Sequence, residues 1–327
     1  MRRRDLLKAI LGGLVGWSSI GRAQNTGGVR HLAVLILNPE GDPQGKKRVD
    51  VLEQELTRLG WSIGNNLRID YRWGAFDPQH AREGITELLS LNPDVILTNS
   101  VVATQAAKKA TQTIPIVFNG VSAPVELGFV ANLSHPGGNI TGFTNLEPSV
   151  GTKWLELVKE VSPDIKRVQL LFNPDSTPAA QLFYQSIEQA AAKFSVMPAM
   201  APVHDPSEIE PLFKIAEGGG IIVQPDTFLA SNRKLIIESA ARHRVPVIYP
   251  FSYYAADGGL ISYGPDLIDQ FRRSAAYITR ILNGEQASDL PVQQPTKFEM
   301  VINLKTAKTL GLGIPQTLLA TADEVIE

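Results

Sequence analysis

Asn38, Ser100, Asn119 and Ser122 in the first half of the sequence stand at or just past the ends of short apolar runs, as do Asn173, Asp175, Asp226, Tyr249 and Phe251 in the second. Together they offer neutral hydrogen-bond donors and acceptors, carboxylates suited to an ammonium group, and aromatic faces on which a flat molecule can stack. That is chemistry of recognition. Nothing in the set pairs a nucleophile with a base. The five histidines, His31, His80, His135, His204 and His243, are scattered without metal-ligand spacing. There is no P-loop and no Gly-x-Ser-x-Gly elbow, and Gly311-Leu312-Gly313 lacks the third glycine of a dinucleotide fingerprint. The absence of cysteine removes disulfides, thiol catalysis and cysteine–zinc sites. The expectation is a binder that is not an enzyme and uses neither metal nor cofactor.

Each polar position also has a local use. Asn38 and Asn173 precede proline and can cap a turn. Ser100 stands ahead of a helical pattern that opens at Val101; as N-cap it satisfies an orphan amide, and the same helix start favours a carboxylate ligand. Ser122, ahead of Ala123-Pro124, has the same dual reading. Asp226 suits either a ligand ammonium or the cap of the next helix. Tyr249, Phe251, Tyr253 and Tyr254 form an aromatic group in which core packing accounts for two members and ligand stacking for the others.

Short β-rich runs alternate with helical patterns along the chain, which predicts an α/β fold with mainly parallel sheets. Residues 31–37 read as a buried strand, and 46–59 as a helix with Val49, Leu52, Leu56 and Leu59 on one face. Strands at 67–73, 94–98 and 114–118 alternate with helices at 79–91 and 101–111, and 140–144 suits a short crossing strand. From Val150 the pattern restarts. Strands at 167–172, 196–201, 220–223 and 245–249 alternate with helices at 178–194, 206–216 and 231–243, followed by a strand at 259–263, a helix at 266–282 and a strand at 298–303. Leu37-Asn38-Pro39-Glu40 is matched by Phe172-Asn173-Pro174-Asp175, and Thr98-Asn99-Ser100 by Gln224-Pro225-Asp226. Ile114-Pro115-Ile116-Val117-Phe118 is matched by Val245-Pro246-Val247-Ile248-Tyr249. Three matches in one order predict two similar Rossmann-like lobes. Ligands of open parallel sheets bind beyond the carboxyl ends of the strands, so the polar ends of both lobes should face one cleft.

The N-terminus speaks for export. Arg2, Arg3 and Arg4 precede a mostly apolar stretch at 9–20, and Gly21-Arg22-Ala23 provides a cleavage triplet. The apolar run is shorter than the about 20 residues that span a bilayer. Arg3-Arg4-Asp5-Leu6-Leu7-Lys8 resembles a loose twin-arginine signal. Residues 1–23 are therefore expected to be a cleaved signal peptide, with the mature chain in the periplasm. A formal net charge of −2 supplies no basic field for nucleic acid.

Ile114-Pro115-Ile116-Val117-Phe118, the run Gly120-Val121-Ser122-Ala123-Pro124-Val125, and Pro136-Gly137-Gly138-Asn139-Ile140-Thr141-Gly142 carry a family likeness, as does the ending Ala322-Asp323-Glu324-Val325-Ile326-Glu327. Together they resemble the ABC-transporter substrate-binding family that includes the tryptophan/tyrosine-type binding proteins. The likeness covers nearly all of the mature chain. It implies a type I periplasmic-binding fold whose chain crosses between lobes at 143–149, 263–266 and 293–297. One lobe would hold residues 30–144 plus 264–293, the other 145–263 plus 297–327. It also implies a monomer that traps a small-molecule ligand by hinge closure and delivers it to an inner-membrane permease with its ATPase. A sensory module presenting solute to a membrane receptor is the alternative. In one respect the chain departs from the pattern. The family commonly has aspartate before the Pro-Val pair, where this chain has Ala123, which removes a carboxylate from the cleft edge. An amino acid and an aromatic or branched organic acid both stay open as ligands.

Overall fold

The computed structural model describes residues 28–36, 38–74 and 78–327; the expected leader at 1–23 lies outside these residues. The first half alternates β1 (Arg30–Leu35), α1 (Pro43–Arg58), β2 (Leu67–Arg72), α2 (Pro78–Ser90), β3 (Val95–Asn99), α3 (Val101–Ala110), β4 (Ile116–Val121) and β5 (Ile140–Thr144). The second runs α4 (Val150–Val161), β6 (Arg167–Phe172), α5 (Ala180–Phe194), β7 (Met197–Pro202), α6 (Ile209–Ile215), β8 (Gly220–Val223), α7 (Thr227–Ser231) and α8 (Arg233–Arg242). It continues through β9 (Val247–Tyr249), α9 (Ser252–Ala256) and β10 (Ile261–Pro265). The chain ends with α10 (Leu267–Leu282), β11 (Phe298–Asn303), α11 (Leu304–Leu310), α12 (Gln316–Leu319) and β12 (Glu324–Ile326).

Two sheets result. The first has five strands in the order β2-β1-β3-β4-β5, with every pair parallel. The second has seven in the order β12-β11-β10-β9-β8-β6-β7, parallel except where β10 meets β11. In each, the first strand of the half lies between the second and the third. This doubly wound order opens a crevice at the carboxyl ends of the first and third strands. β3 and β8 are buried along their whole length, as sheets covered by helices on both faces require. The architecture is thus α/β with two lobes of the type I periplasmic-binding form.

The chain passes between the sheets three times. It leaves β5 for α4. It leaves β10 for α10, whose Phe271, Ala275 and Ile278 pack with Leu52, Leu56 and Leu97 in the core of the first lobe. It returns from there to β11. The crossings are tied side by side: Thr144 N donates to Gln293 O (2.9 Å), Gln293 N to Gly142 O (2.9 Å), and Asp266 N to Lys297 O (3.2 Å). Gln270 on α10 adds a bond from Nε2 to Thr144 O (2.8 Å). At Gly142 (φ +153°) a Cβ would stand 2.1 Å from Phe118 O, so the first crossing strand approaches β4 as only glycine permits.

The structure departs from the sequence expectations in several places. The helix expected at 231–243 is α8; ahead of it stands a short helix not expected from the sequence, α7, which Asn232 closes with Nδ2 on Phe228 O (2.9 Å) before α8 begins. The strand expected to begin at 114 begins at Ile116. The stretch at 140–144 is the edge strand of the first sheet as well as the way out of it. α9 and β12, five and three residues long, are too short to show a period. Among the described residues no helix is long and apolar enough to cross a membrane.

Candidate ligand-binding site

A cavity with about 630 Å³ of empty space, its open mouth included, lies between the two sheets at the carboxyl ends of their strands. The first lobe walls it with Arg48 of α1, Asn99, Ser100 and Val101 where β3 becomes α3, and Gly120 and Ser122 at the end of β4. The second supplies residues 176–179 after β6, 225–227 after β8, and Phe251 and Tyr253 after β9. Ala230 of α7, Asn145 on the first crossing and Leu267 at the start of α10 complete it.

Five of the sequence-predicted residues line this cavity: Ser100, Val101, Ser122, Asp226 and Phe251. Ser100 is the N-cap of α3, its Oγ accepting from Ala103 N (3.1 Å), at φ 153° and ψ 166°. That conformation belongs to glycine and costs a serine on the order of 1–3 kcal/mol. The cap and the β3 ladder hold it there, with the first turn of α3 opening on the cavity. Ser122 donates from Oγ to Asn145 Oδ1 (2.6 Å). Ala123, next to it, sits at φ +50° and is buried.

Asn38 lies on an adjoining cleft with Asp42, Arg48, Arg233 and Tyr253, where its Oδ1 accepts from Arg48 Nη1 (2.8 Å). Four predicted residues stand off the main wall. Asn119 is wholly buried and donates to Ser274 Oγ (2.9 Å), tying α10 to β4. Asn173 turns its side chain onto its own loop, Oδ1 accepting from Asp175 N (2.8 Å) and Ser176 N (3.1 Å). Asp175 points to solvent beside His204 (3.2 Å). Tyr249 alternates into the core, stacked on Tyr254 with ring centroids 5.0 Å apart.

Asp226 lines the cavity as a structural knot. Its oxygens accept from Asn173 N (2.9 Å), Ser176 Oγ (2.9 Å), Leu229 N (2.9 Å) and Thr177 Oγ1. Burial pushes its pKa up, and these four bonds offset that only in part. The carboxylate is the N-cap of α7 and the clasp of the 173–177 loop. Of the two uses open to it in the sequence, this is the cap.

The sequence reading did not place Arg48, Asn145, Ser176 or Thr177 at the site. Arg48 is 4% exposed, its guanidinium 5.9 Å from the Tyr253 ring centroid across the cleft and 6.0 Å from that of Phe271. Burial lowers its pKa from the ordinary arginine value, against opposing contributions from Tyr253 and Asp42. Tyr253 is itself pushed up to about 12, by burial above all. A signal for Arg48 exists in the sequence: it falls four residues before Leu52 and eight before Leu56, on the buried stripe of α1. A charge on an apolar stripe needs a reason.

Comparison with known proteins fits this geometry. A model of the ABC transporter substrate binding protein family matches residues 34–326. The chain belongs to that family. The tyrosine-binding protein of Clostridioides difficile (strain R20291) is 26% identical over 330 residues, covering 95% of this chain and 94% of that one. The crystal structure of a conserved domain protein from Vibrio cholerae is 29% identical, with a TM-score of 0.84 over 91% of this chain and 99% of that one. A Streptococcus pneumonia ABC domain in complex with L-Trp shares the fold at 23% identity, with a TM-score of 0.82 over 91% of this chain and all (100%) of that one.

The two walls of the cleft are bridged. Arg233 of α8 reaches Asp42 of the other lobe (Nη2–Oδ2 3.5 Å) while donating to Asp257 of its own (2.7 Å). Burial opposes the Arg233 charge, but these two carboxylates outweigh it and its pKa is raised. Arg233 and Arg48 approach the Tyr253 ring at 5.8 and 5.9 Å, so one aromatic ring receives a cation from each lobe.

Proposed function

We propose that this protein is the solute-binding component of an ABC importer. The leader at 1–23 exports it to the periplasm. There it takes up a small organic solute, an amino acid or an aromatic or branched organic acid, between lobes formed by 30–144 plus 264–293 and 145–263 plus 297–327. The loaded monomer then docks on an inner-membrane permease driven by a separate ATPase. The observation that carries this reading is one cavity walled by the strand ends of both sheets, joined behind by three chain crossings.

In this reading the ligand contacts are Ser100, Val101, Ser122, Phe251, Arg48 and Asn145, with Asn38 supporting Arg48. Binding and closure are linked, because only contacts made in the closed form favour closing. A micromolar solute would supply about −8.2 kcal/mol in all. The test is a thermal-shift screen of the mature protein against small solutes, followed by small-angle scattering with each hit. A transport component binds a solute, becomes more compact and returns the solute unchanged. A hit that leaves the protein's dimensions as they were, or is converted to product, would sink the proposal.

A further inference from the structure

The charges of the cleft are unevenly committed. Arg48 and Asp226 are the cation and the carboxylate that line the main cavity. Asp226 already accepts from Asn173 N, Ser176 Oγ, Thr177 Oγ1 and Leu229 N. A carboxylate has about four lone-pair sites, so its capacity is filled. Arg48 has no carboxylate within salt-bridge distance among the described residues; Asn38 Oδ1 takes one of its N–H groups.

The neutral groups add donors. Asn145 Oδ1 accepts from Leu146 N and Ser122 Oγ, both at 2.6 Å, which fixes the amide and leaves Nδ2 on the cavity wall without an acceptor among the described residues. Ser100 Oγ accepts from Ala103 N, so its proton is free for an outside acceptor. Against these donors, Asn99, 6% exposed on the same wall, leaves one acceptor, a buried Oδ1 with no partner among the described residues; it suits a hydroxyl or N–H of the solute but carries no charge to balance an ammonium. On the second lobe, the hydroxyl protons of Ser176 and Thr177 are spent on Asp226. A buried ammonium here would trade its water for neutral lone pairs beside a guanidinium, an unfavourable exchange without a carboxylate partner. A carboxylate meets the opposite conditions.

We infer that the cleft selects organic carboxylates that carry no amino group. The carboxylate faces Arg48, Asn145 Nδ2 and the opening amides of α3, and an aromatic or branched body lies against Phe251, Leu267 and Pro178. This rests on the cleft being a solute site and narrows the solute to one charge type.

Calorimetry on matched pairs tests it: 3-phenylpropanoate against L-phenylalanine, indole-3-propanoate against L-tryptophan, 4-methylpentanoate against L-leucine. The amine-free acid is expected to bind at least about tenfold tighter in one pair or more, the size of effect that one unpaired buried charge produces. Arg48→Gln should lose roughly thirtyfold of that affinity and Arg48→Lys much less, because the guanidinium contributes charge as well as hydrogen bonds. Asn145→Asp, which keeps the acceptor used by Leu146 and Ser122, should lose about tenfold by placing an anion opposite an anion. Tighter binding of the amino acid in every pair overturns the inference, as does unchanged affinity in Arg48→Gln and Asn145→Asp proteins of wild-type circular dichroism. A thermal-shift panel of sugars and polyamines separates the two levels. A hit there with none among the acids removes the charge assignment and leaves solute binding, whereas silence across all compounds removes both.

Discussion

Asn38 and Asn173 each follow the first strand of their lobe and precede a proline, yet they face different problems. Asn38 turns outward and accepts from Arg48 at the cleft (2.8 Å). Asn173 turns inward, accepting from the amides of Asp175 and Ser176 while its own amide donates to Asp226. The same contrast runs through both walls. The first lobe leaves donors unspent at Arg48 and Ser100, with Asn145 beside them on the crossing. The second has spent the hydroxyls of Ser176 and Thr177 and the carboxylate of Asp226 on one another. A repeated sequence pattern has thus been divided into a wall with unspent donors and a wall whose polar groups are tied to each other.

The division can be broken by experiment. Asp226→Ala strands two hydroxyls and two amides in a buried place, and should cost at least about 3 kcal/mol of stability in urea unfolding. A variant as stable as the parent that has lost ligand would make Asp226 a contact instead of a clasp. The asparagine pair gives a finer test. Asn173→Ala should lower stability by about 1 kcal/mol with little change in affinity. Asn38→Ala should do the reverse, weakening binding roughly threefold to tenfold by releasing Arg48. Like behaviour in the two variants would erase the contrast. Arg233→Ala removes the charge that joins the walls, and surface plasmon resonance should show release a few-fold faster with association little changed, as expected for a partly exposed pair.

Much of this was legible in the sequence. Parallel-sheet folds write their strands as short apolar runs, so β1, β3, β6 and β8 were visible, and their matched polar ends located the cleft. Direction was not legible. Tyr249 and Asn119 stand at strand ends as Ser122 does, but the last half-turn of the chain decides whether a side chain meets the core or the cavity. Cavity-lining groups away from strand ends were missed for a related reason. Arg48 is brought in by the side of a helix and Asn145 by a crossing, and the periodicity that reveals a helix does not say what its charged exception touches. Asp226 offered two uses on paper, and only the positions of Ser176 and Thr177 separate them.

The crossings carry one more lesson. A lobe hung on a single tether could swivel and twist as well as swing. Here the connections are hydrogen-bonded to one another at Thr144, Gln293, Asp266 and Lys297. In the hinge proposed above they would act as a door hung on several pins, free to swing and stiff to torsion. Opening would then be reduced to one coordinate, and the outward faces of the two lobes would report the state of the cleft to whatever reads them, without any relay through the core.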